Sequence, residues 1–200
     1  MRTRRLTEAQ IALFERVAWP HLPAVLRNAK FLTNSEHEAE DLAQETMLKA
    51  LRSIETLRSP SGAKGWLLTI QRRTLIDRHR GREVEDGAIS LDGEARIQIE
   101  GATHSDPLAW DEPEQILESF TDDDVVAALK GLPQEIRWTL LLVDVEQLDQ
   151  ADAAQILDVP LGTIKSRAHR GREMIRTRLS PLARKRGWVS GDVSKGAHHL

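Results

Sequence analysis

The sequence predicts an all-α protein of two small helical domains joined by a flexible acidic linker. Three observations carry that expectation. Apolar residues recur at helical spacing over two long blocks, and no stretch alternates as a strand would. Charge is segregated beneath a formal net charge of only −3: residues 1–80 hold 14 bases and 9 acids, 81–124 hold 2 and 14, and 125–200 hold 12 and 8. Residues 81–115 keep no period and scatter Gly81, Gly87, Gly93, Gly101 and Pro107 among acids, the composition of an extended tether. The expected division is a domain over 7–80, a linker over 81–117, a domain over 118–182 and a flexible tail over 183–200.

In the first block, "TEAQ" at Thr7–Gln10 is a capping box, followed by Ile11, Phe14, Val17 and Ala18 at helical spacing. Pro20 and Pro23 punctuate, and Leu22, Val25, Leu26 and Ala29 give a second short helix. "SEHE" at Ser35–Glu38 reads as another capping box. It opens a helix whose Ala39, Leu42, Ala43, Thr46, Met47, Ala50, Leu51 and Ile54 form one apolar stripe. "RSPSG" at 58–62 interrupts, and "KGWLLTIQRRTLIDRHR" resumes the helical pattern to Arg80. A short helix near Glu112–Phe120 is possible within the acidic stretch.

In the last block, Asp122–Asp124 sit in a first turn, where the helix dipole favours acids, and Gly131 stops that helix. Pro133 starts the next at its first position, with Ile136, Leu140, Leu141 and Val143 as buried candidates. Asp149 can cap a helix to about Leu157, "DVP" turns the chain, and Gly162–Leu179 forms a basic helix.

Composition narrows the function. With no cysteine, disulfides, zinc–thiolate sites and a cysteine nucleophile are excluded. No apolar run is long enough to cross a bilayer, and "MRTRRLTEAQ" lacks the apolar core of a secretory signal. A cytoplasmic protein that inserts in no membrane is expected. No Gly-rich phosphate loop, H-E-x-x-H or G-x-S-x-G is present, so no catalytic residue, metal or cofactor is expected.

Thr163–Arg186 carries nine Lys or Arg against one acid, Glu173. Two helices joined by a short turn, the second cationic, suggest a helix-turn-helix DNA reader. Ala154 is small where the helices would cross, and Ile164, Ile175 and Leu179 make an inner face. Thr163, Lys165, Ser166, Arg167, His169, Arg170 and Arg172 are left for solvent or DNA. Asp158 occupies the turn position that favours glycine, and Asp tolerates a left-handed backbone better than most residues. The alternative is a basic surface helix, or one touching a membrane. On the helix from Glu36 to Glu55, the face opposite the stripe holds Asp41, Gln44, Glu45, Leu48 and Arg52. An apolar anchor in a polar rim suits protein docking, and a stray exposed leucine is the plain alternative.

"LPQEIRWTLLLVDVEQLDQADAAQILDVPLGTIKSRAHRGREMI", 132–175, resembles the −35-reading domain of extracytoplasmic-function (ECF) sigma factors. "HEAEDLAQETMLKAL", 37–51, resembles that family's core-polymerase-binding helix, and "KGWLLTIQRRTLIDRHR", 64–80, its −10 melting and recognition segment. The resemblance implies that Asp41, Gln44, Glu45 and Leu48 contact core RNA polymerase. It implies that Arg72, Arg73 and Arg80 meet promoter DNA at the −10 element, beside a loop offering Ser59, Ser61 and Lys64 to an unstacked base. Residues 163–172 would read the −35 element. Trp66, Leu67 and Ile70 are expected in the core. Where the family usually has Ala-Arg-Asn, this chain has Gln71-Arg72-Arg73. An anti-sigma factor is a further partner implied by the family. The linker would thread through the polymerase, or else serve as a solvated spacer. Two rivals remain at this point: a sigma-like decoy that binds an anti-sigma factor without starting transcription, and a plain helix-turn-helix regulator.

Overall fold

The computed structural model describes residues 6–85 and 122–185. Among these the regular structure is entirely helical. The linker expected over 81–117 lies almost wholly outside the described residues, as do the possible helix near 112–120 and the tail beyond 185.

The first domain comprises α1 (Glu8–Val17), α2 (Leu22–Leu32), α3 (Glu36–Arg52) and α4 (Ala63–Glu85). Thr7 Oγ1 accepts the Gln10 N–H at 3.2 Å while Gln10 Oε1 accepts the Thr7 N–H at 2.9 Å, the reciprocal box read from the sequence. Ser35 caps α3 through the Glu38 N–H at 3.2 Å, whereas the Glu38 carboxylate accepts the Asn34 N–H at 3.1 Å. The α3 stripe is buried from Ala39 to Ala50 and continues to Ile54 in the following 3-10 turn, with Leu51 half-buried. Against it α4 packs Leu67, Leu68 and Leu75. Each such leucine contributes about 1.5–3 kcal/mol by leaving water. Trp66 and Ile70 pack only partly buried at the edge of this core. Gln71 is fully buried and donates from Nε2 to the Val25 carbonyl at 2.7 Å, tying α4 to α2.

The second domain comprises α5 (Asp122–Lys130), α6 (Gln134–Leu140), a π turn (Leu141–Val145), α7 (Gln150–Leu157) and α8 (Leu161–Lys185). Pro133 precedes α6 as its N-cap residue instead of opening it. The π turn widens the helix by one residue, so Leu140, Leu141 and Leu142 are all buried in succession, and Val143 is only half-buried. Asp149 stands at the N-cap of α7, yet its side chain makes no cap hydrogen bond, which corrects the expected cap. The fully buried small residue on α7 is Ala153, one position before the expected Ala154. Asp158 ends α7 in the left-handed conformation, φ 54° and ψ 50°. Gly171 lets α6 and α8 approach closely: a Cβ there would lie 2.7 Å from Ile136 Cγ2 and 2.9 Å from Leu140 Cδ1. α8 continues through Pro181 to Lys185, past the expected end at Leu179, because Leu179 and Ala183 pack on Ala128 of α5.

The two domains touch. α4 packs on α7 and α2 on α5, and the buried apolar cluster runs without a break from Phe14 to Ala168.

Candidate nucleic-acid interface

Leu48 projects from α3 with 46% of its surface exposed, in contrast to the fully buried Leu42 one and a half turns earlier. Gln44 is exposed beside it, and Asp41 and Glu45 are half-exposed. Glu45 is fixed by Arg78 Nε at 2.7 Å and by Lys49 Nζ at 3.0 Å. Burial pushes the Glu45 carboxyl up, but the hydrogen bonds from Lys49 and Arg78 outweigh it and hold the pKa below the ordinary value. Arg78 Nη2 also donates to the Asp41 carbonyl at 2.9 Å, so this face is braced from α4.

The loop before α4 carries Ser59 and Ser61, both exposed, with their hydroxyl oxygens 2.8 Å apart. Trp66 Nε1 donates to Thr56 Oγ1 at 3.3 Å and fastens the loop to the helix. Arg73 and Arg80 are exposed on α4. Lys64 and Arg72 are not free. Lys64 Nζ donates to the Glu146 carbonyl of the second domain at 2.5 Å. Arg72 is half-buried; burial pulls its pKa below the ordinary guanidinium value, with Arg73 and Arg167 adding to this and Asp158 opposing it.

On α8, Lys165, Ser166, His169 and Arg170 share an exposed surface, with Thr163 and Arg167 half-buried at its edge. The left-handed turn at Asp158 sets the angle at which α8 leaves α7, and Ile164 and Ala168 anchor its inner side. Arg172 is held in a fork by Asp144, Nη2 to Oδ1 at 2.6 Å and Nε to Oδ2 at 3.1 Å. That hydrogen bonding raises its pKa above the ordinary value. The structure thus gathers most of the expected cationic residues on α8, pairs Arg172 with the partly exposed Asp144 of the same domain, and turns Lys64 and Arg72 toward the second domain.

Sequence reasoning missed Glu146, which is 2% exposed and receives Arg27 and Asn28 of α2. His21 lies nearby; burial and Lys64 keep its pKa below the ordinary imidazole value while Glu146 opposes them. Only the combination of the π turn and the docked domains buries this acid, and neither leaves a periodic signal.

Residues 20–84 match the Sigma-70 region 2 family and residues 122–175 the Sigma-70, region 4 family. The chain is 35% identical over 176 residues to ECF RNA polymerase sigma factor SigE of Mycolicibacterium smegmatis, covering 86% of this chain and 64% of that protein. It is 32% identical over 151 residues to the ECF RNA polymerase sigma-E factor of Haemophilus influenzae, covering 74% of this chain and 78% of that one. Its fold resembles the sigma factor RpoE of Bartonella quintana, solved with the anti-sigma factor NepR. The TM-score is 0.64 at 28% identity, over 84% of this chain and 96% of that one. Two regions in the family's order, on an all-helical frame with a cationic helix-turn-helix, place the chain in the extracytoplasmic-function subfamily of bacterial sigma-70 RNA polymerase sigma factors.

Proposed function

We propose that the chain binds core RNA polymerase and directs it to specific promoters. The domain boundaries adopted are 7–80 and 118–182, with 81–117 as the tether. Polymerase docks on α3 through Asp41, Gln44, Glu45 and Leu48. The first domain captures and helps melt the −10 element with Ser59, Ser61, Lys64, Arg72, Arg73 and Arg80. The second reads the −35 element with Thr163, Lys165, Ser166, Arg167, His169, Arg170 and Arg172. The observation that carries this reading is Leu48, an apolar anchor exposed inside a rim of Asp41, Gln44 and Glu45 on a helix whose other face is buried. A plain DNA-binding regulator has no use for such a face. A decoy has no use for the exposed Lys165, His169 and Arg170.

Polymerase performs the chemistry, so the chain acts without a catalytic residue or cofactor of its own. No helix among the described residues is long and apolar enough to cross a membrane, and the proposed place of action is the cytoplasm. An anti-sigma factor is the proposed negative partner, supported by the RpoE relative solved with NepR. The test adds purified protein to bacterial core polymerase and scores complex formation and start-site-specific transcripts from genomic fragments. Binding with discrete starts is expected; no binding would return the chain to the plain regulators.

A further inference from the structure

Ser59 and Ser61 differ from the other exposed hydroxyls among the described residues. Thr7 and Ser35 accept backbone N–H groups as helix caps. Thr56, Ser166 and Thr177 donate to the carbonyls of Ser53, Thr163 and Glu173 at 2.8–3.0 Å. Ser59 and Ser61 are instead joined to each other, Oγ to Oγ at 2.8 Å, and Ser59 makes no cap bond to the 3-10 turn Pro60–Gly62 that follows it.

The backbone here suits the cleft of another enzyme. Leu57 (φ −68°, ψ 115°) and Ser59 (φ −147°, ψ 138°) are extended, and Pro60 restricts Ser59 to that region. Residues 58–62 are exposed without interruption, so an enzyme can take up the run without unwinding an α-helix. Ser61 sits inside the 3-10 turn, which leaves Ser59 as the hydroxyl presented on extended chain. The electrostatic setting is one-sided. No acid occurs between Glu55 and Asp77, while Arg58, Lys64, Arg72 and Arg73 all fall in that stretch.

We propose that Ser59 is a phosphorylation site, modified by an ATP-dependent serine/threonine protein kinase, and that the phosphate turns off engagement of the −10 element. The inference rests on the −10 role proposed above for this loop. Arg58 immediately before the acceptor gives such a kinase a cation to hold in an acidic subsite. Ser59 Oγ attacks the γ-phosphorus of MgATP, and an O–P bond forms at the serine. The bond from that phosphorus to the β,γ-bridging oxygen breaks, the hydroxyl proton passes to the kinase's base, and ADP leaves. The product carries about −1.5 to −2 charge at neutral pH. Ser61 Oγ is already within donating distance of position 59, and the entry to the 23-residue α4 favours an anion. The protein therefore accommodates the phosphate, while the DNA backbone meets it as a like charge. The docking face around Leu48 belongs to α3 and keeps its affinity for polymerase.

The test builds phosphoserine into the full chain at position 59 and compares it with the unmodified chain. The Kd for core polymerase should be the same for both, and promoter-dependent transcription should fall at least about tenfold at low salt. The deficit should narrow as salt screens the repulsion, and a protein phosphatase should abolish it. Tandem mass spectrometry of the chain isolated from its own cells should find phosphate on Ser59 in growth or under stress. Undiminished transcription from the phosphoserine chain would overturn the switch, as would a deficit that persists after the phosphate is removed. Absence of phosphate from Ser59 in those cells, or its presence on Ser61 alone, would overturn the acceptor. If the unmodified chain gave no transcript either, the initiation function and the switch would fall together, while the mass spectrum would still decide whether Ser59 is modified.

Discussion

Replacing Leu48 by Asp separates a docking residue from a core residue. Leu48 has 46% of its surface exposed, so about half of its apolar area remains to be buried by a partner. Full burial of a leucine contributes about 1.5–3 kcal/mol, and the exposed half therefore offers about 1 kcal/mol to docking, roughly fivefold in Kd. Aspartate removes that and brings a carboxylate into the desolvated contact, next to Asp41 and Glu45 on the same face. The combined loss should reach about 2–3 kcal/mol, or roughly 30- to 150-fold in Kd for core polymerase. The fold loses only the packing of the inner half of the side chain, about 1 kcal/mol. Fluorescence titration against core polymerase measures the first quantity, and circular dichroism with urea unfolding the second. An unchanged Kd would refute the docking face, and lost helicity would show that Leu48 belongs to the core.

The remaining predictions concern the second domain and the α3–α4 brace. Arg170→Ala should lower promoter-dependent transcription while leaving the Kd for core polymerase unchanged, and a normal transcript yield would remove Arg170 from the −35 contact. Gly171→Ala should destabilise the chain by about 1–2 kcal/mol in urea, because overpacking against Ile136 and Leu140 exceeds alanine's helix-propensity gain; a stabilised variant would refute that close approach. Asp158→Ala should cost about 1 kcal/mol while Asp158→Gly costs nothing, since φ is 54° there. Glu45 has its folded pKa below its unfolded value, so it adds stability above the unfolded value that is lost as pH falls through the folded one. The parent should therefore lose more stability than Glu45→Gln between neutral and acid pH, and parallel pH profiles would contradict the Arg78 and Lys49 contacts.

Local rules were legible in the sequence and long-range ones were not. The Thr7 box, the α3 stripe, the exposed Leu48 and the left-handed Asp158 each follow from residues within a turn or two of one another. The burial of Glu146 depends on Arg27 and Asn28, which lie 119 and 118 residues away, and no periodicity encodes such a pairing. Gln71 stands out in the sequence only as a departure from the family's usual residue, and its burial depends on the Val25 carbonyl, 46 residues away, that accepts its Nε2 hydrogen bond. The basic helix is expected to end at Leu179, but tertiary packing of Leu179 and Ala183 carries α8 through Pro181 to Lys185. The candidate contacts on α8 were legible as a charged face; that Arg172 is paired within the domain depended on where the π turn sets Asp144.

The central claim is that one chain reads two separate promoter elements while bound to polymerase. The most direct measurement places a photo-crosslinking residue at Ser61 in one protein and at His169 in another, assembles each with core polymerase on a promoter, and identifies the crosslinked nucleotides. The account predicts crosslinks from Ser61 to the −10 element and from His169 to the −35 element of the same promoter, both dependent on core polymerase. Crosslinks from both positions to a single element, or crosslinks indifferent to polymerase, would contradict it.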